Sequence, residues 1–165
     1  MNKVREPKHV VMKPKQKKAE KKGGGKKLIK RATLAIKQEF YLEATWILAT
    51  LFEKKLGKIL EKLETSVQKQ GVDFAQSVKR IKYLHISAKH PDLVAHFQLG
   101  LFDEIRNWKN HRNEILKDIQ QINVSRPRME RLANTGLKLY RELTKAAKSF
   151  KSAESSSASE GKSSG

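Results

Sequence analysis

Ala44-Thr45-Trp46-Ile47-Leu48-Ala49-Thr50-Leu51-Phe52-Glu53-Lys54-Lys55-Leu56 sets apolar side chains three and four residues apart, and Ile59, Leu60 and Leu63 continue the pattern. Backwards it reaches Phe40 and Ile36. That spacing lays one apolar stripe along a helix, so the stretch predicts a long amphipathic helix from Leu28 to about Gln70. Gly57 interrupts it at a cost of about 1 kcal/mol relative to alanine, and is read as a close helix approach or a slight bend.

Outward from this helix the punctuation is clear. Gly71 precedes a shorter helix, about Val72 to Ala88, with Phe74, Val78, Ile81 and Leu84 on one face. His90-Pro91-Asp92 ends one element and starts the next, because proline disfavours helix at the residue before it. A third helix follows from about Asp92 to Ile122. Ser125-Arg126-Pro127 opens a last one, in which Ser125 suits a cap and Pro127 a first turn, and which presents Met129, Leu132, Ala133, Leu137, Tyr140 and Leu143. No strand-period segment or internal repeat competes. Four to five helices with short connections predict an all-α antiparallel bundle over residues 28–150.

The two ends differ from this core. Residues 1–27 hold Pro7, Pro14, the run Lys15 to Lys22 and Gly23-Gly24-Gly25, a self-repelling composition with little to bury, and are expected to form a disordered basic arm. Such an arm serves equally as a polybasic tether for nucleic acid and as a solubility or localisation tail. Residues 151–165, rich in Ser, Ala, Gly and Glu, are expected to be a disordered tail.

The chain carries 36 Lys and Arg against 17 Asp and Glu, a net charge of +19 in 165 residues. Solubility alone asks for much less, so an anionic partner is expected, RNA first. The first 31 residues contribute +11 and residues 32–150 a further +8, so the folded part is cationic in its own right. No apolar run approaches the roughly 18 residues a membrane span needs, and no signal-type stretch follows Met1, which predicts a cytoplasmic protein without a membrane partner. Absence of cysteine excludes disulfides, thiolate nucleophiles and cysteine-held metal centres.

The third helix carries the chemistry. On a wheel of about 100° per residue, Leu101, Ile105, Trp108, Leu116 and Ile119 fall within roughly 40° of Arg112. A guanidinium in an apolar stripe must be paired, stacked or set at a cleft, because an unpaired buried charge costs several kcal/mol. The structural reading stacks it beside Trp108 and bridges it to Glu43 or Glu53. The functional reading uses it with the adjoining polar strip, Arg106, Asn110, Asn113 and Lys117, to hold a phosphate. For that strip the plain alternative is a solvated helix face.

The segment Ile105-Arg106-Asn107-Trp108-Lys109-Asn110-His111-Arg112-Asn113-Glu114-Ile115-Leu116-Lys117 resembles the motif helix of HEPN-superfamily proteins, in which an Arg and a polar follower precede a His by four to six positions, often with a Trp one turn earlier. The stretch Tyr41 to Leu56 is similar to the long early helix of a bacterial and phage branch, and the resemblance spans roughly residues 35–145. It implies a helical bundle that dimerises through the motif helix and engages RNA, in many members as a metal-independent endoribonuclease of toxin or anti-phage systems. In the register set by Trp108 it assigns Arg112 to the phosphate and Asn113 to its orientation, while the histidine position holds Lys117, a poor proton shuttle at neutral pH. A second register, Arg106-Asn107 to His111, keeps the histidine but takes its arginine from the flank of the stripe. Catalysis is therefore open on the resemblance, with Arg112, Asn113, Lys117 and His111 as candidates and Arg106, Lys109, Arg112 and Lys117 as RNA contacts.

No other chemistry competes. His85, His90 and His96 with Asp92 and Asp103 form no ligand pattern, and Gly23-Gly24-Gly25-Lys26-Lys27 lacks the strand and hydroxyl of a phosphate loop, so neither metal nor cofactor is expected. Aromatic residues are too sparse, at 7%, for a base-stacking platform. The alternative to an RNA enzyme is a basic helical module that binds nucleic acid or a protein, for instance an antitoxin-like partner.

Overall fold

A computed structural model describes residues 24–64, 73–120 and 124–160, with side chains placed for all of these except Gln120 and 152–160. Among these residues six helices follow in order: α1 Gly24–Lys37, α2 Tyr41–Leu63, α3 Phe74–Ile86, α4 Pro91–His96, α5 Leu99–Gln120 and α6 Arg126–Glu160. The fold is all-α, with no strand among the described residues. α2 packs against α1, α3 and α6, while α5 leans on α6 and α3.

Two of the predicted helices are corrected. The predicted first helix is two, α1 and α2, hinged at residues 38–40. Glu39 takes a left-handed φ of 65°, its N–H donates to Ile36 O, and the Phe40 N–H reaches back to Ala35 O at 2.8 Å. This is a Schellman cap with glutamate where glycine is usual, and Glu39 is further engaged by an ion pair with Arg126. The predicted third helix is also two: Phe97 is extended at φ −121° and ψ 126°, which separates α4 from α5. Burial of Phe97 explains the break, since its ring sits 5.7 Å from both Phe102 and Phe150 and its carbonyl accepts from His85 Nε2 at 2.7 Å.

The predicted ends are corrected as well. Residues 24–27, assigned to the arm, are the first turn of α1, carried by Leu28 and Ile29 packing on the core. Residues 151–160, assigned to the tail, continue α6, because extending an existing helix avoids the nucleation cost and serine loses only a few tenths of a kcal/mol to alanine, roughly. The rest of both predicted tails, residues 1–23 and 161–165, lies outside the described residues, as does the predicted stretch of the first helix beyond Glu64.

Phe52 of α2 is the centre of the core. Its ring meets Phe74 of α3 at 6.3 Å, Trp108 of α5 at 5.0 Å and Tyr140 of α6 at 5.5 Å, so one side chain joins four helices. Edge-on and tilted contacts of this kind add about 0.5–1.5 kcal/mol each beyond the area they bury. Gly57 does not mark a close approach: a Cβ there meets nothing within 4 Å. The close approach is at Gly136 of α6, where a Cβ would lie 2.6 Å from the indole nitrogen of Trp108.

Candidate functional site

α5 is fixed from inside by Phe102, Ile105, Trp108 and Ile115, all buried, and Arg112 lies in the same stripe with only 8% of its surface exposed. Trp108 does not stack with it. The Trp108 ring is turned inward over Gly136, and its Nε1–H donates to Leu132 O at 2.9 Å. The ring against Arg112 belongs to Trp46 of α2, with the guanidinium carbon 4.9 Å from the ring centroid. Trp46 itself is 57% exposed, so the ring that covers Arg112 stands at the protein surface.

The ion pair expected for Arg112 is not formed. Glu43 is held by Arg31 of α1 at 2.6 Å, and among the described residues no carboxylate lies within 4.0 Å of the guanidinium. Glu53 is felt only as a more distant charge. What Arg112 does have is a long hydrogen bond from Nη1 to Asn113 Oδ1, 3.5 Å, and its buried Nε–H has no acceptor. Burial is the main cause that holds its pKa below the ordinary arginine range, and Glu53 pulls part of the way back. The group stays cationic at neutral pH, incompletely solvated and incompletely bonded, which favours any anion that reaches it.

The polar strip is exposed as the wheel indicates: Arg106, Asn110, Asn113 and Lys117 all face solvent. Two of the predicted RNA contacts already have partners. Arg106 pairs with Asp103 at 3.4 Å, and Lys109 lies 4.3 Å over the Phe74 ring and 3.6 Å from Asp73. A phosphate at either would compete with a carboxylate, whereas Arg112 and Lys117 are ion-paired to none among the described residues.

The second register faces elsewhere. His111 and Asn107 line a groove of about 520 Å³ between α5 and α6, together with Glu104, Glu114, Arg128 and Arg131. Arg106 is not part of its lining. Arg128 is occupied by Asp118 at 2.5 Å, and Arg131 has no ion-pair partner among the described residues. Arg112 thus faces α2 and His111 faces α6, and the second register is itself split, since Arg106 lies outside the groove that holds His111 and Asn107. The residues that sequence reasoning gave no role are Trp46, whose signal was a tryptophan off the apolar stripe of its helix, and Arg131, which carried none.

Among the described residues no group of three His, Asp or Glu could hold a metal, and no helix is long and apolar enough to cross a membrane. No protein-family model, curated protein or solved structure matches the chain.

Proposed function

We propose that the protein binds RNA through a phosphate clamp centred on Arg112, as a HEPN-like helical protein of a cytoplasmic toxin or anti-phage type system. One observation carries this reading: a buried guanidinium with no carboxylate partner among the described residues, stacked on an indole exposed at the surface. A phosphate supplies the missing acceptors, Asn113 orients the guanidinium, and Lys117 adds charge one and a half turns further along α5. A purely structural ion pair has no support among the described residues, none of which brings a carboxylate to Arg112. Leu42 and Trp46, one turn apart and both exposed, give the same face an apolar flank on which a second copy docks and encloses the clamp. An antitoxin-like partner is the alternative occupant of that flank.

Chain cleavage is the second reading, and the α5–α6 groove favours it over the Arg112 register. There His111 shares a cavity with Asn107 and Arg131: the imidazole takes the 2′-hydroxyl proton as that oxygen bonds to phosphorus, the guanidinium stabilises the phosphorane charge, and the P–O5′ bond breaks with water protonating the leaving 5′-oxygen. The test is incubation of a labelled unstructured RNA in EDTA with the wild type, Arg112→Ala, His111→Ala and Lys117→Ala, alongside a binding titration. Binding without cleavage, weakened in Arg112→Ala, supports the clamp alone. EDTA-resistant cleavage lost in His111→Ala assigns the reaction to the α6 flank. Absence of RNA binding by the wild type overturns both.

A further inference from the structure

A second cationic surface lies away from α5, where α1 and α6 run side by side. A groove of about 490 Å³ between them is lined by Lys30, Thr33 and Lys37 of α1 and Arg141 of α6, with Ile29 and Leu34 as its apolar floor. It has three cations and no carboxylate in its lining. None of the three is ion-paired among the described residues, in contrast to Arg31, Arg80, Arg126 and Arg128, which all are. Leu34 is half exposed, so the floor of the groove is open to solvent.

The charge extends past the groove. On a helical wheel Lys138, Arg141, Lys145 and Lys148 fall within about 80° of one another, one stripe along α6, with Glu142 on its Lys138 edge, about 40° from Lys138 and 100° from Arg141. On α1, Lys26, Lys30 and Lys37 fall within about 40°. Lys148 in turn sits near Lys55 of α2: burial first, then the charges of Lys58 and Lys148, holds the Lys55 ammonium below the ordinary lysine range. Ammonium groups are here gathered at a cost, with no carboxylate paired to them among the described residues. The 23 residues that precede α1, nine of them Lys or Arg, join it at Gly24.

We propose that the α1–α6 surface is a nucleic-acid docking face that tracks a phosphodiester backbone without reading its sequence, and so supplies affinity apart from the Arg112 clamp. The partner rests on the RNA reading above; the surface does not depend on the clamp. Charge complementarity selects the ligand. Lys30 to Lys37 and Arg141 to Lys148 each advance about 10 Å, two helical turns, so each helix offers cations to phosphates several nucleotides apart along one strand. The groove lacks stacking aromatics, which leaves backbone contact as the mode of binding.

The experiment is a titration of labelled oligouridylate across a salt series with three full-length proteins: wild type, Lys30→Gln/Arg141→Gln/Lys148→Gln, and Arg112→Ala/Lys117→Gln. Each lost contact to a single strand removes about 0.7 from the slope of log affinity against log salt, so the α1–α6 triple variant loses about 2 and binds roughly tenfold more weakly at moderate salt. Thermal melts of the variants, expected to match the wild type because all three side chains are at the surface, separate lost contacts from lost folding. An unchanged slope in the triple variant, with a reduced one in the α5 variant, overturns the docking face and leaves the RNA reading intact. A wild type with no salt-sensitive RNA binding overturns both, and so does one that sediments with phosphatidylserine vesicles yet ignores RNA.

Discussion

The two tryptophans of the chain do opposite work. Trp108 is 2% exposed, donates its N–H to Leu132 O and has a glycine cleared beneath it, so every part of the ring is used by the fold. Trp46 is 57% exposed, carries the Arg112 guanidinium on its face, and is not part of the buried core. A buried ring with a satisfied polar atom is a structural element, while an exposed ring over a buried, under-bonded cation is the arrangement on which the proposed clamp rests.

Substitutions sharpen that contrast, and the largest effect belongs to the buried ring. Trp108→Ala is expected to lower stability by about 3–5 kcal/mol, read by urea unfolding, because it empties the space between Phe52 and Gly136. Gly136→Ala drives a methyl into the same ring and is expected to cost about 1–3 kcal/mol, again by urea unfolding. Trp46→Ala should change stability by no more than about 1 kcal/mol, the scale of an exposed cation–π contact, while weakening RNA binding. If Trp46→Ala unfolds the protein as Trp108→Ala does, the contrast is wrong.

Smaller effects lie elsewhere on the helices. Gly57→Ala adds a methyl in open space within a helix and is expected to raise stability by up to about 1 kcal/mol, visible as a higher melting temperature. Asp103, bonded to Lys82 of α3 at 2.6 Å, has its pKa held below the ordinary carboxylate value, first by that hydrogen bond and then by the charges of Lys82 and Arg106. A carboxylate depressed in the folded state stabilises above its unfolded pKa and loses that stabilisation as pH falls through the folded one. Asp103→Asn should therefore lower the melting temperature slightly at neutral pH and flatten its decline below about pH 4.

Much of this was legible from spacing alone. The all-α class, the apolar stripes and the placement of Arg112 within one of them follow from helical periodicity, a local property of the chain. The hinge at Glu39 was not legible, because the residue in the left-handed position is a glutamate and not the glycine or asparagine that announces a cap. The break at Phe97 was hidden for a different reason: its cause is a contact with Phe150, more than fifty residues away. The same limit explains the site. The wheel shows that Arg112 is misplaced but cannot say which helix faces it, so the stacking partner was sought in Trp108 on its own helix and lies instead on α2.

The central claim is that Arg112 is a cation kept for a ligand and not a strut of the fold. It is tested most directly by titrating a labelled unstructured RNA with the wild type and with Arg112→Met, each paired with its thermal melt. Replacing an unpaired buried charge by an apolar chain of similar length should leave the melting temperature unchanged or higher, while RNA affinity falls about tenfold, the scale of one charge-assisted contact. A variant that melts lower and binds RNA as the wild type does would contradict the account and make Arg112 a structural residue.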